Sequence, residues 1–126
     1  MKRRPTKAAA TDVFGTVRRV GLTLPGVETA TRYDGSPLLK VAGMFMAGLA
    51  THPSAEPGTL VVRIGFEERQ WLLEDAPDTY YVTEYYRRNP VVLVRLSRMD
   101  QDALRDLLSV SWRLTVEKAP KRAGRR

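Results

Sequence analysis

Apolar and polar positions recur along this chain with two periods, and each change of period marks an element. Val13, Phe14, Val17 and Val20 lie three or four apart and form the stripe of an amphipathic helix, with Arg18 and Arg19 off it. Thr11 or Asp12 would cap its start, and Gly21 followed by Pro25-Gly26 would end it. From Val27 the period falls to two. Val27 to Tyr33 reads as a strand, with Val27, Thr29, Thr31 and Tyr33 alternating against Glu28, Ala30 and Arg32. Asp34-Gly35-Ser36-Pro37 is turn chemistry, Leu38 to Val41 a short strand, and Ala42-Gly43 a tight turn. Met44 to Ala50 then sets Met44, Met46 and Gly48 against Phe45, Ala47 and Leu49. Thr51 to Gly58 is a loop. Thr59 to Ile64 is the next strand, with Leu60, Val62 and Ile64 on one face and Val61 and Arg63 on the other.

Glu67 to Asp75 reads as a short helix whose buried side comes from Trp71, Leu72 and Leu73, with Glu67 and Glu68 at its positive dipole end. Tyr80 to Leu96 follows as a hairpin. Tyr80 to Thr83 is β-branched or aromatic, Asn89-Pro90 turns the chain, and Val91 to Leu96 returns. Val92, Val94 and Leu96 share one face of the return strand; Val91, Leu93 and Arg95 share the other, which marks a central strand. A final helix capped by Ser97 or Asp100 presents Ala103, Leu104, Leu107, Leu108 and Trp112, extended by Thr115 or Val116, until Pro120 stops it.

This order predicts an α+β domain: an antiparallel sheet of about five to six strands, packed by the N- and C-terminal helices in two layers. The 126 residues, 43% of them apolar, fit one domain over residues 11–117, between a basic arm (1–10) and a basic tail (118–126). The formal charge of +7 belongs to those ends. Of 21 lysines and arginines, four lie in residues 1–7 and five in 118–126; the remaining 12 face 14 acids, which leaves the body at −2. The ends can supply sequence-independent attraction for phosphates, and equally can serve only solubility. The absence of cysteine removes disulfides, thiol nucleophiles and thiolate metal sites, and is consistent with a cytoplasmic home. The basic arm precedes no long apolar run, so neither a secretory signal nor a membrane span is expected.

Candidate chemistry is sparse. His52 is the single histidine, and as a loop residue it is expected to be a solvated side chain. Glu67-Glu68 and Glu74-Asp75 are adjacent pairs, whose side chains diverge on a helix, so no metal site and no cofactor are expected. No nucleophile-and-base set is legible, and a non-enzymatic protein is expected. The connection in the Tyr80–Leu96 hairpin carries Tyr85, Tyr86, Arg87 and Arg88. Arginine contacts phosphate and tyrosine stacks on bases, so this loop is a candidate nucleic-acid grip. The plainer alternative is that the tyrosines cover the edge of the core and the arginines are solvated.

Several short motifs, weak singly but specific in order and spacing, carry a resemblance over about residues 11–117. They are Leu24-Pro25-Gly26-Val27-Glu28; Gly35-Ser36-Pro37 with Leu39-Lys40-Val41 and Gly43; Asp75, Pro77, Tyr80-Tyr81-Val82-Thr83, Tyr86-Arg87, Pro90 and Val92 to Leu96; and Ser111-Trp112-Arg113-Leu114. Together they resemble the MmcQ/YjbR family. The resemblance implies an α+β fold related to frataxin-like or secretion-chaperone-like architecture, with hairpins projecting as double wings, and a non-enzymatic DNA-binding role without established catalytic residues. It departs from the family at Tyr85, often histidine there, at Arg88, often glycine, and at Met44, often lysine.

Three functions stay open, in this order. The first is DNA binding, with Tyr85, Tyr86, Arg87, Arg88, Arg63 and Lys40 on the body and Lys2, Arg3 and Arg4 on the arm. The second is a protein-interaction or chaperone-like module using the sheet face or the acidic helix. The third is a small-molecule binder or an enzyme without a recognisable catalytic set. A monomer is expected.

Overall fold

A computed structural model describes residues 14–119. The start of the first helix at Thr11 or Asp12, Val13, the arm with Lys2, Arg3 and Arg4, and the tail from Pro120 lie outside the described residues.

The architecture is α+β. Helix α1 (14–21) is followed by strands β1 (Val27–Thr31), β2 (Pro37–Val41), β3 (Met44–Leu49) and β4 (Leu60–Arg63). Helix α2 (Phe66–Asp75), strands β5 (Tyr80–Tyr81) and β6 (Val91–Val94), a 3-10 turn (Leu96–Arg98) and helix α3 (Gln101–Lys118) complete the order. The six strands form one sheet in the order β1-β2-β3-β4-β6-β5, every neighbouring pair antiparallel.

The helices cover one face. Phe14, Val17 and Val20 of α1 meet Leu39, Val41, Met46, Leu60, Val62, Val92, Val94 and the α3 stripe of Leu104, Leu107 and Leu108 in one buried cluster. In α3 the stripe continues through Ser111 and Thr115; Trp112 is half-buried and Val116 exposed. Asp100, not Ser97, caps the helix: its carboxylate accepts the N–H of Ala103 at 2.8 Å. Val61, Val91 and Leu93 form a second cluster on the opposite face. All four β6 residues are therefore buried, as a strand covered on both faces must be.

Several expectations need correction. The first strand ends at Thr31, and Tyr33 stands fully in solvent on the following turn. The return strand ends at Val94. Leu96 opens a 3-10 turn held by Arg98 N–H to the Arg95 carbonyl and Met99 N–H to that of Leu96. Trp71 is 59% exposed, because three consecutive helical residues span about 200° and cannot share one face. Leu72 and Leu73 take the inward side.

The alternation expected of β3 also breaks. Leu39 pairs with Ala47 but Lys40 with Phe45, so one step on β2 spans two on β3, a bulge at Met46. Met46 and Ala47 both reach the helix-side core, while Phe45 and Gly48 end on the opposite face. The turn before β3 has positive φ at Ala42 (55°) and Gly43 (77°), the geometry of a two-residue hairpin turn.

Candidate nucleic-acid interface

The sheet face turned away from the helices holds most of the cations and aromatics singled out in the sequence. Arg63 lies between Val62 and Ile64, both in the helix-side core, so it falls on the other face. Lys40 lies likewise between Leu39 and Val41, directly opposite Phe45 across β2–β3. The bulge sets the Phe45 ring over Gly48. A Cβ at position 48 would stand 3.2 Å from the ring and 2.8 Å from Leu38 Cβ, so only glycine leaves room. Arg63 Nε donates to the Phe45 carbonyl at 3.0 Å. Arg32 lays its guanidinium over the Phe45 ring, 5.8 Å from the centroid, and donates to the Leu49 carbonyl and Ser36 Oγ, each at 2.9 Å. Phe45 thus sits among Arg32, Lys40 and Arg63. Among the described residues no carboxylate forms a direct ion pair with any of the three, although Glu28 faces Lys40 across β1–β2 and Ser36 Oγ, which accepts from Arg32, donates to Asp34 Oδ1 at 2.7 Å.

The β4–β6 half of this face is covered by the 50–59 loop and the 82–90 segment. Tyr86 is buried, 9% exposed, against Val61, Val91 and Leu93, and its Oη accepts the N–H of His52 at 3.4 Å. The segment therefore does not project as a wing. Its chain leaves β5 after Tyr81, because Tyr86 must close an apolar patch that helices do not reach, and residues 84–88 form a turn. Of the four turn residues proposed to contact nucleic acid, Tyr86 is committed to this core. Tyr85 is 57% exposed and stacks on His52 with ring centroids 3.5 Å apart and planes 13° from parallel. Tyr86 meets the Tyr85 ring at 83°, with centroids 5.0 Å apart. Arg87 pairs with Glu84 at 3.1 Å, and Arg88 is exposed.

His52 is not a lone solvated histidine. Its Nδ1 accepts the Ser54 N–H at 3.0 Å and lies 2.9 Å from Ser54 Oγ, which in turn lies 2.9 Å from Thr83 Oγ1. In the neutral ring the proton then sits on Nε2. Tyr86 meets the same imidazole edge-on. This set clasps the loop to the segment and fixes the plane of Tyr85. The far end of the loop is tied down separately. Glu56 receives a two-pronged pair from Arg95, at 2.8 to 3.1 Å, and its N–H donates to Tyr81 Oη at 2.8 Å. Arg95 also lies over the Tyr81 ring, 4.3 Å from its centroid. The hydrogen bond from Arg95 holds the Glu56 carboxyl below the usual carboxylate range.

Two contributors went unread in the sequence. Arg69, on α2, donates to the carbonyls of Asn89 (3.0 Å), Val91 (3.1 Å) and Arg87 (3.1 Å), so it holds the turn that carries Arg87 and Arg88. Burial, then the nearby Arg87 charge, lowers its pKa from the ordinary arginine value. Arg32 was assigned only to a strand face. A cation two residues before Asp34, whose Oδ1 accepts Ser36 N–H at 2.9 Å, was the available hint that it would fold back across the turn. Among the described residues no group of three or more His, Asp or Glu side chains is placed to hold a metal, and no helix is long and apolar enough to cross a membrane. Comparison with models of known protein families gives no match, and comparison with curated proteins gives none either.

Proposed function

We propose that this is a non-enzymatic DNA-binding protein of the MmcQ/YjbR type, and that it holds DNA on the sheet face turned away from its helices. The observation that carries the reading is the grouping of Arg32, Lys40 and Arg63 around Phe45 without a paired carboxylate among the described residues. Three unpaired cations on one sheet face suit a phosphate backbone, whose contacts supply affinity and register. At the border of this face Arg88 extends the positive surface, with Arg87 beside it paired to Glu84, and the exposed ring of Tyr85, held by His52, offers a platform for an unpaired base. Tyr86 packs against that ring at a steep angle, with centroids 5.0 Å apart. Lys2, Arg3, Arg4 and the C-terminal cations add sequence-independent attraction.

The test is DNA affinity against salt concentration for the full chain. Lys40→Glu combined with Arg88→Glu should weaken binding at least tenfold at moderate salt. It should also flatten the log–log salt slope by about 0.9 for each phosphate contact removed. Arg105→Glu, on α3 where Arg105 already pairs with Asp102, should change neither. Tyr85→Ala should weaken single-stranded more than duplex DNA, by about 1–3 kcal/mol per stacked base. A salt slope that Lys40→Glu and Arg88→Glu leave intact would assign all binding to the tails and overturn the reading.

A further inference from the structure

A second surface, on the helix side, has the opposite chemistry. Between α2 and α3 runs a groove of about 450 Å³, floored by Ile64, Leu72, Tyr80, Leu107 and Val110. Its volume falls within the ~300–1,000 Å³ of sites that hold a bound group. Trp71 stands at the rim, and Phe66, on the same short helix, is 52% exposed. Phe66 is not part of this groove, since the Arg69 guanidinium lies over its ring, 4.9 Å from the centroid; Trp71 is the large aromatic left exposed at the groove's edge. Glu68 and Asp106 line the same groove, and Glu74 and Asp75 border the adjoining recess under Trp71. Among the described residues Glu67, Glu68, Asp75 and Asp106 form no ion pair. Arg69, the one base of α2, is turned away to the carbonyls of the 87–91 segment. Arg113 is the only cation lining the groove among the described residues.

An apolar floor with an acidic rim specifies its occupant. We infer that the groove docks an amphipathic helical segment of a partner protein. That segment places leucine- or phenylalanine-sized anchors on the floor and lysines or arginines against Glu68, Asp75 and Asp106. The chain's own tails meet only half of this requirement. Residues 119–126 carry Lys121, Arg122, Arg125 and Arg126, but no apolar side chain larger than proline, and residues 1–10 offer only Met1, a single anchor. Because the groove and the cationic sheet face lie on opposite sides of the sheet, the partner does not displace DNA.

Isothermal titration of the full chain with three synthetic helical peptides tests this. The first is a leucine/lysine amphipathic peptide, the second has every lysine replaced by glutamate, and the third has every leucine replaced by serine. The leucine/lysine peptide should bind, and each of the other two at least about tenfold more weakly. Trp71→Ala should cost about tenfold, as loss of an aromatic anchor does, and Glu68→Gln with Asp106→Asn should cost a similar factor. Trp71 is exposed, so its variant is expected to fold, and an unchanged melting curve checks this. Equal binding of the glutamate peptide, or binding indifferent to Trp71→Ala, overturns the inference. So does absence of binding. Binding gained only when Lys121, Arg122, Arg125 and Arg126 are all changed to glutamine assigns the groove to the chain's own tail, and equally overturns it.

Discussion

Arg69 shows how much one side chain can organise without touching a ligand. Its three hydrogen bonds go to carbonyls of residues 87, 89 and 91, all in a segment that lacks a strand partner until Val91. Hydrogen bonds from charged donors contribute about 1.5–3 kcal/mol when sheltered, and partial exposure reduces that. Arg69→Ala is therefore expected to cost about 1–3 kcal/mol in chemical denaturation and to speed amide exchange in residues 84–90. Arg69→Lys should recover only part, since an ammonium cannot reproduce the planar fork that spans three carbonyls. Exchange in residues 84–90 matching wild type in both variants would show that Tyr86 and the His52 clasp hold the segment without Arg69. None of this was legible in the sequence. A lone arginine on an acidic helix reads as a solvated charge, and its partners are main-chain atoms that carry no residue identity. The clasp of His52 and Tyr85 was hidden for a related reason: the stacked rings come from positions 33 apart, in a loop and a turn with no period to align them.

At the scale of elements, periodicity served where one face was dry and the other wet. The α3 stripe was read from Leu104, Leu107 and Leu108, and the two faces of β4 and β6 were assigned correctly through Val62 against Val61 and Val92 against Val91. It failed where geometry departs from a fixed period. The bulge at Met46 turns Phe45 and Gly48 to the same side, which strict alternation forbids, and three adjacent apolar residues on α2 overstated its buried face. The Tyr80–Leu96 hairpin forms, with its two strands paired antiparallel, but its first strand stops at Tyr81 rather than Thr83, because the pattern of Tyr80 to Thr83 suits a strand equally well whether it pairs for two residues or four. The cap of α3 offers a clean test at this scale. Asp100 was one of two candidates, and its carboxylate satisfies the Ala103 N–H. Asp100→Ala is expected to cost about 1 kcal/mol of stability, within the ~0.5–2 kcal/mol range of lost caps. Asp100→Asn should cost much less, and Ser97→Ala, outside the helix, should stay near wild type in thermal melts.

Across the whole molecule the charges are sorted rather than merely unbalanced. Among the described residues, acids without an ion pair cluster on and around α2, while Arg32, Lys40 and Arg63 occupy the other side of the sheet, with only Glu28 and Asp34 beside them. A body that sums to −2 can therefore present a cationic face, which net charge alone obscured. A domain of about a hundred residues has a radius of gyration of about 13 Å, so its opposite faces lie roughly 25–30 Å apart. The screening length is about 8 Å at 0.15 M salt and about 30 Å at 0.01 M. If DNA is held on the far face as proposed, the α2 acids should be invisible to it at physiological salt and repel it when salt is low. Glu67→Gln, Glu74→Gln and Asp75→Asn together should leave DNA affinity within about twofold at 0.15 M and raise it several-fold at 0.01 M. An increase of the same size at both salts would mean that the acids border the contact surface itself, and would move the DNA to the helix side of the sheet.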